Sequence, residues 1–179
     1  MTRTRRNIEL KSRCSDLDAV RRRAEVLGAR DAGVLDQRDT FFVASHARLK
    51  LRDLGGGRAE LIGYVRPDTA EARGSDYVIC PVAQPEQLAA VLTYALGASG
   101  VVIKTRHLLL YRHTRIHLDE VAGLGSFVEL ETVLGEESEA DARAELHDVA
   151  TALELAPEDT VPVPYVELLA RRSRRPNDD

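Results

Sequence analysis

Cysteine is scarce in this chain of 179 residues: there are two, Cys14 and Cys80, far apart in sequence. They show no metal-ligand spacing and cannot supply the disulfide framework of a small exported domain. Long apolar runs are missing too, and none approaches the roughly 18 residues of a membrane-spanning helix. The basic start (Arg3, Arg5, Arg6) is not followed by the apolar stretch of a signal segment. A cytoplasmic protein that does not touch a membrane is therefore expected. Charge of one sign is also lacking, since 25 Lys and Arg stand against 29 Asp and Glu, for a net −4. That excludes a whole-surface grip on nucleic acid, but not a local basic cavity. There is no internal repeat. The run Gly55 to Gly57 lacks the strand–loop–helix setting of a phosphate loop and reads as a hairpin.

What is present is an ordinary globular composition, 44% apolar and 30% charged. The length suits one domain with its own core. That domain is placed at residues 1–170, with a polar, disordered tail over 171–179 and a frayed start over 1–6. Apolar and polar residues alternate over residues 7–13, 36–43, 47–53, 58–66, 76–82, 101–111, 114–121 and 126–134, which predicts eight strands. Residues 69–75 read as a loop. Helices are expected from Ser15 or Asp16 to Gly28, from Pro85 to Gly97, and from the acidic run at Glu136 to Leu153. A short segment follows over 165–169. Short turns imply antiparallel pairing, and eight strands suffice to close a barrel. The fold class is α+β: an eight-stranded antiparallel β-barrel tunnel with amphipathic helices packed outside.

In strand after strand, the polar half of the alternation is charged, with both signs. One face carries Asn7, Glu9 and Lys11, then Arg48, Lys50 and Arg52, then Lys104 and Arg106, then Arg115, His117 and Asp119, then Glu129 and Glu131. The amphipathic helices need an apolar surface to lie on. If they cover the outer face, the charged face turns inward. Buried charges cost several kcal/mol each unless paired or bound to ions. A wet interior with cations on some strands and carboxylates on others meets that cost by binding a polyanion and a divalent cation.

At these residues the chain resembles the CYTH superfamily, the triphosphate tunnel metalloenzymes. These include class IV adenylate cyclases, thiamine triphosphatases and bacterial tripolyphosphatases. The resemblance runs over residues 7–169. Asn7-Ile8-Glu9-Leu10-Lys11 matches the family's Glu-x-Glu-x-Lys opening except at Asn7. Further blocks are Gln37 to Phe42, Arg48 to Arg52, Glu60 to Pro67, Lys104 to Arg106, Arg115 to Val121, Gly123 to Glu131, and Tyr165 to Leu169.

The resemblance implies a metal-dependent enzyme acting on a triphosphate, by phosphohydrolase or class IV cyclase-type chemistry, with Mg²⁺ or Mn²⁺ as cofactor. Lys11, Lys50, Arg52, Arg66, Lys104, Arg106 and Arg115 would hold phosphate oxygens. Glu9 and Glu131 would bind the main metal. Asp119 and Glu129 would serve a second metal or position the attacking group. Lys11, Arg52, Arg115 and Glu129 are the candidate catalytic residues. His117 would hydrogen-bond within the tunnel, and Asp39 would steady a basic neighbour. The partner is a small triphosphate-containing molecule, with no nucleic acid and no membrane; a homodimer is left open. Asn7 brings no charge to the metal site. It favours the rival reading, a non-catalytic polyphosphate- or nucleotide-binding module.

Overall fold

The computed structural model describes residues 4–69 and 71–174. In chain order it runs β1 (Arg5–Arg13), α1 (Leu17–Leu27), β2 (Arg30–Phe42), β3 (Arg48–Asp53), β4 (Ala59–Val65) and β5 (Arg73–Val82). Then come α2 (Pro85–Leu96), β6 (Ala98–Tyr111), β7 (Thr114–Val121), β8 (Gly125–Val133), α3 (Glu139–Ala152) and α4 (Tyr165–Ser173). The strands are ordered β1-β5-β4-β3-β2-β6-β7-β8, and β1 pairs with both β5 and β8, so the antiparallel sheet closes into a ring. Closure leaves no edge strand among the described residues to template aggregation.

Local chemistry sets the elements. Asp16 caps α1 by accepting from the Ala19 amide at 2.8 Å, and Gly28 ends it at φ 92°, where a side chain would be strained. Ser138 and Asp141 form a reciprocal capping box at the start of α3. The β3–β4 hairpin turns through Gly55, Gly56 and Gly57, all at positive φ.

The alternation separates two worlds. Ile8, Leu109, Ile116, Leu118, Val128 and Leu130 face outward and are buried under Val20 and Ala24 of α1 and Ala142, Leu146 and Val149 of α3. Phe42, Leu51 and Ala59 pack with Leu88, Ala89 and Leu92 of α2. A third cluster joins Phe41, Val102, Val121 and Phe127 to Val161, Val163 and Tyr165. Helices α1, α2 and α3 thus lie on the apolar outer face and the charged residues turn inward; the third cluster differs, because Phe41 and Val102 line the interior and Tyr165 of α4 reaches into it.

Three expectations about boundaries change. Residues 69–75 were expected as a loop, but Arg73 and Ser75 are in β5, because the backbone from Arg73 to Tyr77 pairs with Glu9 to Arg5. Arg5 and Arg6 belong to β1 rather than to a frayed start. The first residues of the expected tail are helical. Arg171 to Ser173 complete α4, where cations suit the C-terminal end of a helix. Residues 1–3 and 175–179 lie outside the described residues. No described helix is long and apolar enough to cross a membrane.

Candidate functional site

The interior of the ring holds a cavity of about 780 Å³, its open mouth included. Nine residues expected at the site line it together: Glu9 and Lys11 from β1, Lys50 and Arg52 from β3, Arg66 just beyond β4, Lys104 from β6, Arg115 from β7, and Glu129 and Glu131 from β8. Asp39 of β2 joins them. Six cations therefore meet four carboxylates here, in a chain whose overall charge is −4.

Strand register explains how these charges are tolerated. Lys11 lies opposite Glu129, Arg115 opposite Glu131, Arg106 opposite Asp119, Asp39 opposite Arg52, and Glu9 opposite Arg73. Opposite charges on facing strands stabilise a sheet, and like charges destabilise it. Asp39 accepts from Lys50 Nζ at 2.7 Å and from Arg52 Nε at 2.9 Å. Burial alone would raise the Asp39 carboxyl, but Lys50 and Arg52 hold it far below the usual range. Burial lowers the Lys50 ammonium to about 8, against the pull of Asp39. Lys11 is likewise lowered to about 8 by burial, with Glu129 opposing at 3.7 Å.

Two expected site residues do not line the cavity. Arg106, expected to hold phosphate, donates to Asp119 at 2.6 and 2.7 Å and to Glu129 at 2.6 Å. Asp119, expected to serve a second metal, is fully buried and also accepts from Lys104 at 3.0 Å and from the Tyr165 hydroxyl at 3.0 Å. In this arrangement Asp119 accepts from Lys104, Arg106 and Tyr165, and with Arg106 it braces Lys104 and Glu129.

Three contributors were not given these roles by sequence. Arg73 is buried, and both it and Arg66 donate to Glu9 Oε1. Arg66 Nε and Nη2 and Arg73 Nη2 are buried without hydrogen-bond partners, leaving donors free for an anion. The signal for Arg73 was its place beside Gly74 and Ser75, which resembled a turn. His117 joins Glu129 and Glu131 in a group whose ligand atoms lie within 4.8 Å of one another. Tyr165, at the start of α4, places its ring 4.0 Å from Lys11 Nζ and 5.2 Å from Lys104 Nζ. Cation–π contacts of this kind hold an ammonium without neutralising it.

This donor set fits a divalent cation. His117 Nδ1 is buried without a hydrogen-bond partner, and burial lowers the ring's pKa, which favours the neutral form that can ligate. Burial pushes Glu129 up, but Lys11 and Arg106 outweigh it and keep it well below the usual range. Glu9 and Glu131 face each other directly across β1 and β8, a repulsive placement that a cation between the strands would relieve.

The site is thus a closed antiparallel ring enclosing a cation-rich interior and a carboxylate–histidine group. The sequence matches the CYTH domain over residues 5–165, and the chain belongs to the CYTH family. A comparison with curated protein sequences found no match. Solved structures do match. The PH1012 protein of Pyrococcus horikoshii is 26% identical, with a TM-score of 0.80, and the alignment covers 90% of this chain and 98% of that one. A Vibrio parahaemolyticus protein described as an adenylate cyclase candidate is 19% identical, with a TM-score of 0.74 over 92% and 97%. A Hippeastrum adenylyl cyclase candidate, described as having a dominant triphosphatase activity, is 14% identical, with a TM-score of 0.62 over 96% and 98%. The last two likenesses speak for the fold alone.

Proposed function

We propose that the chain binds a triphosphate in the ring interior and cleaves one of its phosphoanhydride bonds, with water as acceptor and Mg²⁺ or Mn²⁺ as cofactor. The observation that carries this reading is the surplus of cations lining the cavity. Lys11, Lys50, Arg52, Arg66, Lys104 and Arg115 would contact phosphate oxygens, the arginines in bidentate fashion and the lysines as point charges. Glu129 and Glu131, with His117, would hold the cation, and Glu9 lies across from them. A divalent cation bound there neutralises phosphate charge.

Phosphoryl transfer depends mainly on positioning and electrostatics. Asp39 fixes Lys50 and Arg52, and Asp119 fixes Lys104 and Arg106, so cationic groups stand ready where charge develops on the leaving phosphate. Water is favoured over a protein nucleophile. The wall's serine, Ser75, has no base bonded to it among the described residues, and burial pushes the Tyr64 hydroxyl up to about 12.

A ³¹P NMR time course with Mg²⁺, trace Mn²⁺, ATP and tripolyphosphate tests this. New orthophosphate is the expected result. A cyclic phosphodiester with pyrophosphate would replace water with a ribose hydroxyl and make the chain a class IV-type cyclase. An unchanged spectrum over hours would favour the second reading, a non-catalytic triphosphate-binding module. Asn7 speaks for that reading: its amide stands at the family's first glutamate and adds no charge to the metal site.

A further inference from the structure

The charged residues are not spread evenly around the ring. On the inner wall, β4 and β5 contribute Ile62, Tyr64, Ser75, Tyr77 and Ile79 to the cavity, and none of these is charged. Ile62 lies directly opposite Ile79, and Tyr64 opposite Tyr77. On the next strand Asn7 lies opposite Ser75, two pairs along from the Arg5–Tyr77 pair, so Asn7 and Tyr77 are diagonal neighbours on the same inner face. Both are buried, at 4% and 8% exposed. Asn7 Oδ1 and the Tyr77 hydroxyl both lack a hydrogen-bond partner. Buried polar atoms are nearly always satisfied, so two orphans side by side on a cavity wall mark the place of a missing partner.

The chemistry of that partner follows from the wall. Asn7 offers a donor and an acceptor and no charge, and Tyr77 offers one hydroxyl. Burial keeps that hydroxyl protonated by raising its pKa, with the nearby Arg115 opposing. Ile62 and Ile79 beside them suit an apolar or planar surface. A phosphate oxygen gains little here compared with the cation-lined side.

We propose that Asn7, Tyr77 and the Ile62–Ile79 pair form a subsite for the uncharged organic end of a triphosphate ester, so that this chain selects organic triphosphates over inorganic tripolyphosphate. The proposal rests on the triphosphate reading above and adds to it which kind of triphosphate is taken. It also gives Asn7 a task of its own: a carboxylate at this position would repel the phosphates next to a neutral ligand group, whereas the amide pairs with that group.

Charge alone makes the opposite forecast, which sharpens the test. Tripolyphosphate carries more negative charge than ATP, so a purely electrostatic cavity would hold it more tightly. Calorimetric titration of the full chain with each ligand in metal-free buffer, where turnover does not interfere, gives two dissociation constants and their ratio. ATP is expected to bind at least tenfold more tightly than tripolyphosphate. Tyr77→Phe and Asn7→Ala are each expected to reduce that ratio at least fivefold, with the melting temperature reporting that each variant is folded. Equal affinities in the unaltered chain, or tighter binding of tripolyphosphate, would overturn the subsite while leaving the triphosphate reading in place. A ratio untouched by both substitutions would also overturn it, as would an Asn7→Ala variant that loses Mn²⁺ affinity and nothing else, since the amide would then be a metal ligand. If neither ligand binds, the triphosphate reading itself falls and the subsite falls with it.

Discussion

The inner wall built by β6, β7, β8 and β1 and the inner wall built by β4 and β5 follow the same two-residue alternation, yet they fill the interior in opposite ways. The first holds Lys104, Arg106, Asp119, Glu129 and Lys11 in one connected set of ion pairs. The second holds isoleucine and tyrosine pairs. In the charged wall every residue depends on another, because an uncompensated charge in the interior costs several kcal/mol. The isoleucines and tyrosines of the second wall can change without stranding a charge, whereas Arg73 at the start of β5 is paired with Glu9. Binding strength and structural integrity are therefore tied together on one side of the cavity, and ligand selection is free to vary on the other.

The largest expected break in that contrast comes from Asp119→Asn. It leaves Lys104 and Arg106 buried without their shared counter-charge, and about 3–5 kcal/mol of stability should be lost. Urea denaturation measures it, and a loss under about 1 kcal/mol would mean the charged wall is not interdependent. Next comes Glu129→Gln, which removes a carboxylate proposed to hold the cation, together with the partner of Lys11. Phosphate release should fall by about 10²–10³-fold, and a calorimetric Mn²⁺ titration should weaken in parallel; wild-type turnover in this variant would remove Glu129 from the chemistry.

A pH effect of intermediate size is expected on the charged side. The Lys50 ammonium is lowered from 10.5 to about 8, so it sheds its proton as pH rises through 8. Triphosphate affinity should weaken above that point by up to about tenfold per pH unit for each such lysine. Between 8 and 10.5 the unfolded chain holds more protons on Lys50 than the folded one, so in the ligand-free protein the cost this buried lysine imposes on folding fades as pH rises through that window. Titrations at pH 7, 8 and 9 in two buffers of different ionisation enthalpy would show proton uptake on binding near pH 8; flat affinity would mean the lysines do not contact the phosphates. The smallest effect is expected from the neutral wall: Ile62→Val should cost about 0.5–1.5 kcal/mol. A loss as large as that of Asp119→Asn would erase the distinction between the two walls.

Alternation made the charged inner face legible before the structure, because helices that need an apolar bed leave the polar side of the sheet nowhere to go but inward. Nine site residues came together for that reason. What was not legible depends on register. Nothing local says that Arg106 faces Asp119 rather than a ligand, since that follows from β6 pairing with β7. Arg73 was missed because Arg73-Gly74-Ser75-Asp76 has the composition of a turn, and its pairing with β1, some 64 residues away, overrides that local preference. The alternation puts Ile62 and Tyr64 on the face of Arg66, but Tyr77 and Ile79 were passed over because a tyrosine or isoleucine in a strand reads as core until its neighbours across the cavity are known.

The order of the strands around the ring has a consequence for how the molecule is made. β1 is the first strand to leave the ribosome, yet it sits between β5 and β8, and its partners in β8 end at Val133. Until residues beyond that point have emerged, β1 has an open edge and Lys11 lacks its facing carboxylate, Glu129. Contacts this distant in sequence make folding slow and leave half-built sheets exposed to other chains. Added phosphate or tripolyphosphate should therefore speed the last phase of refolding more than the first, because the cations they would neutralise are brought together only when the ring closes.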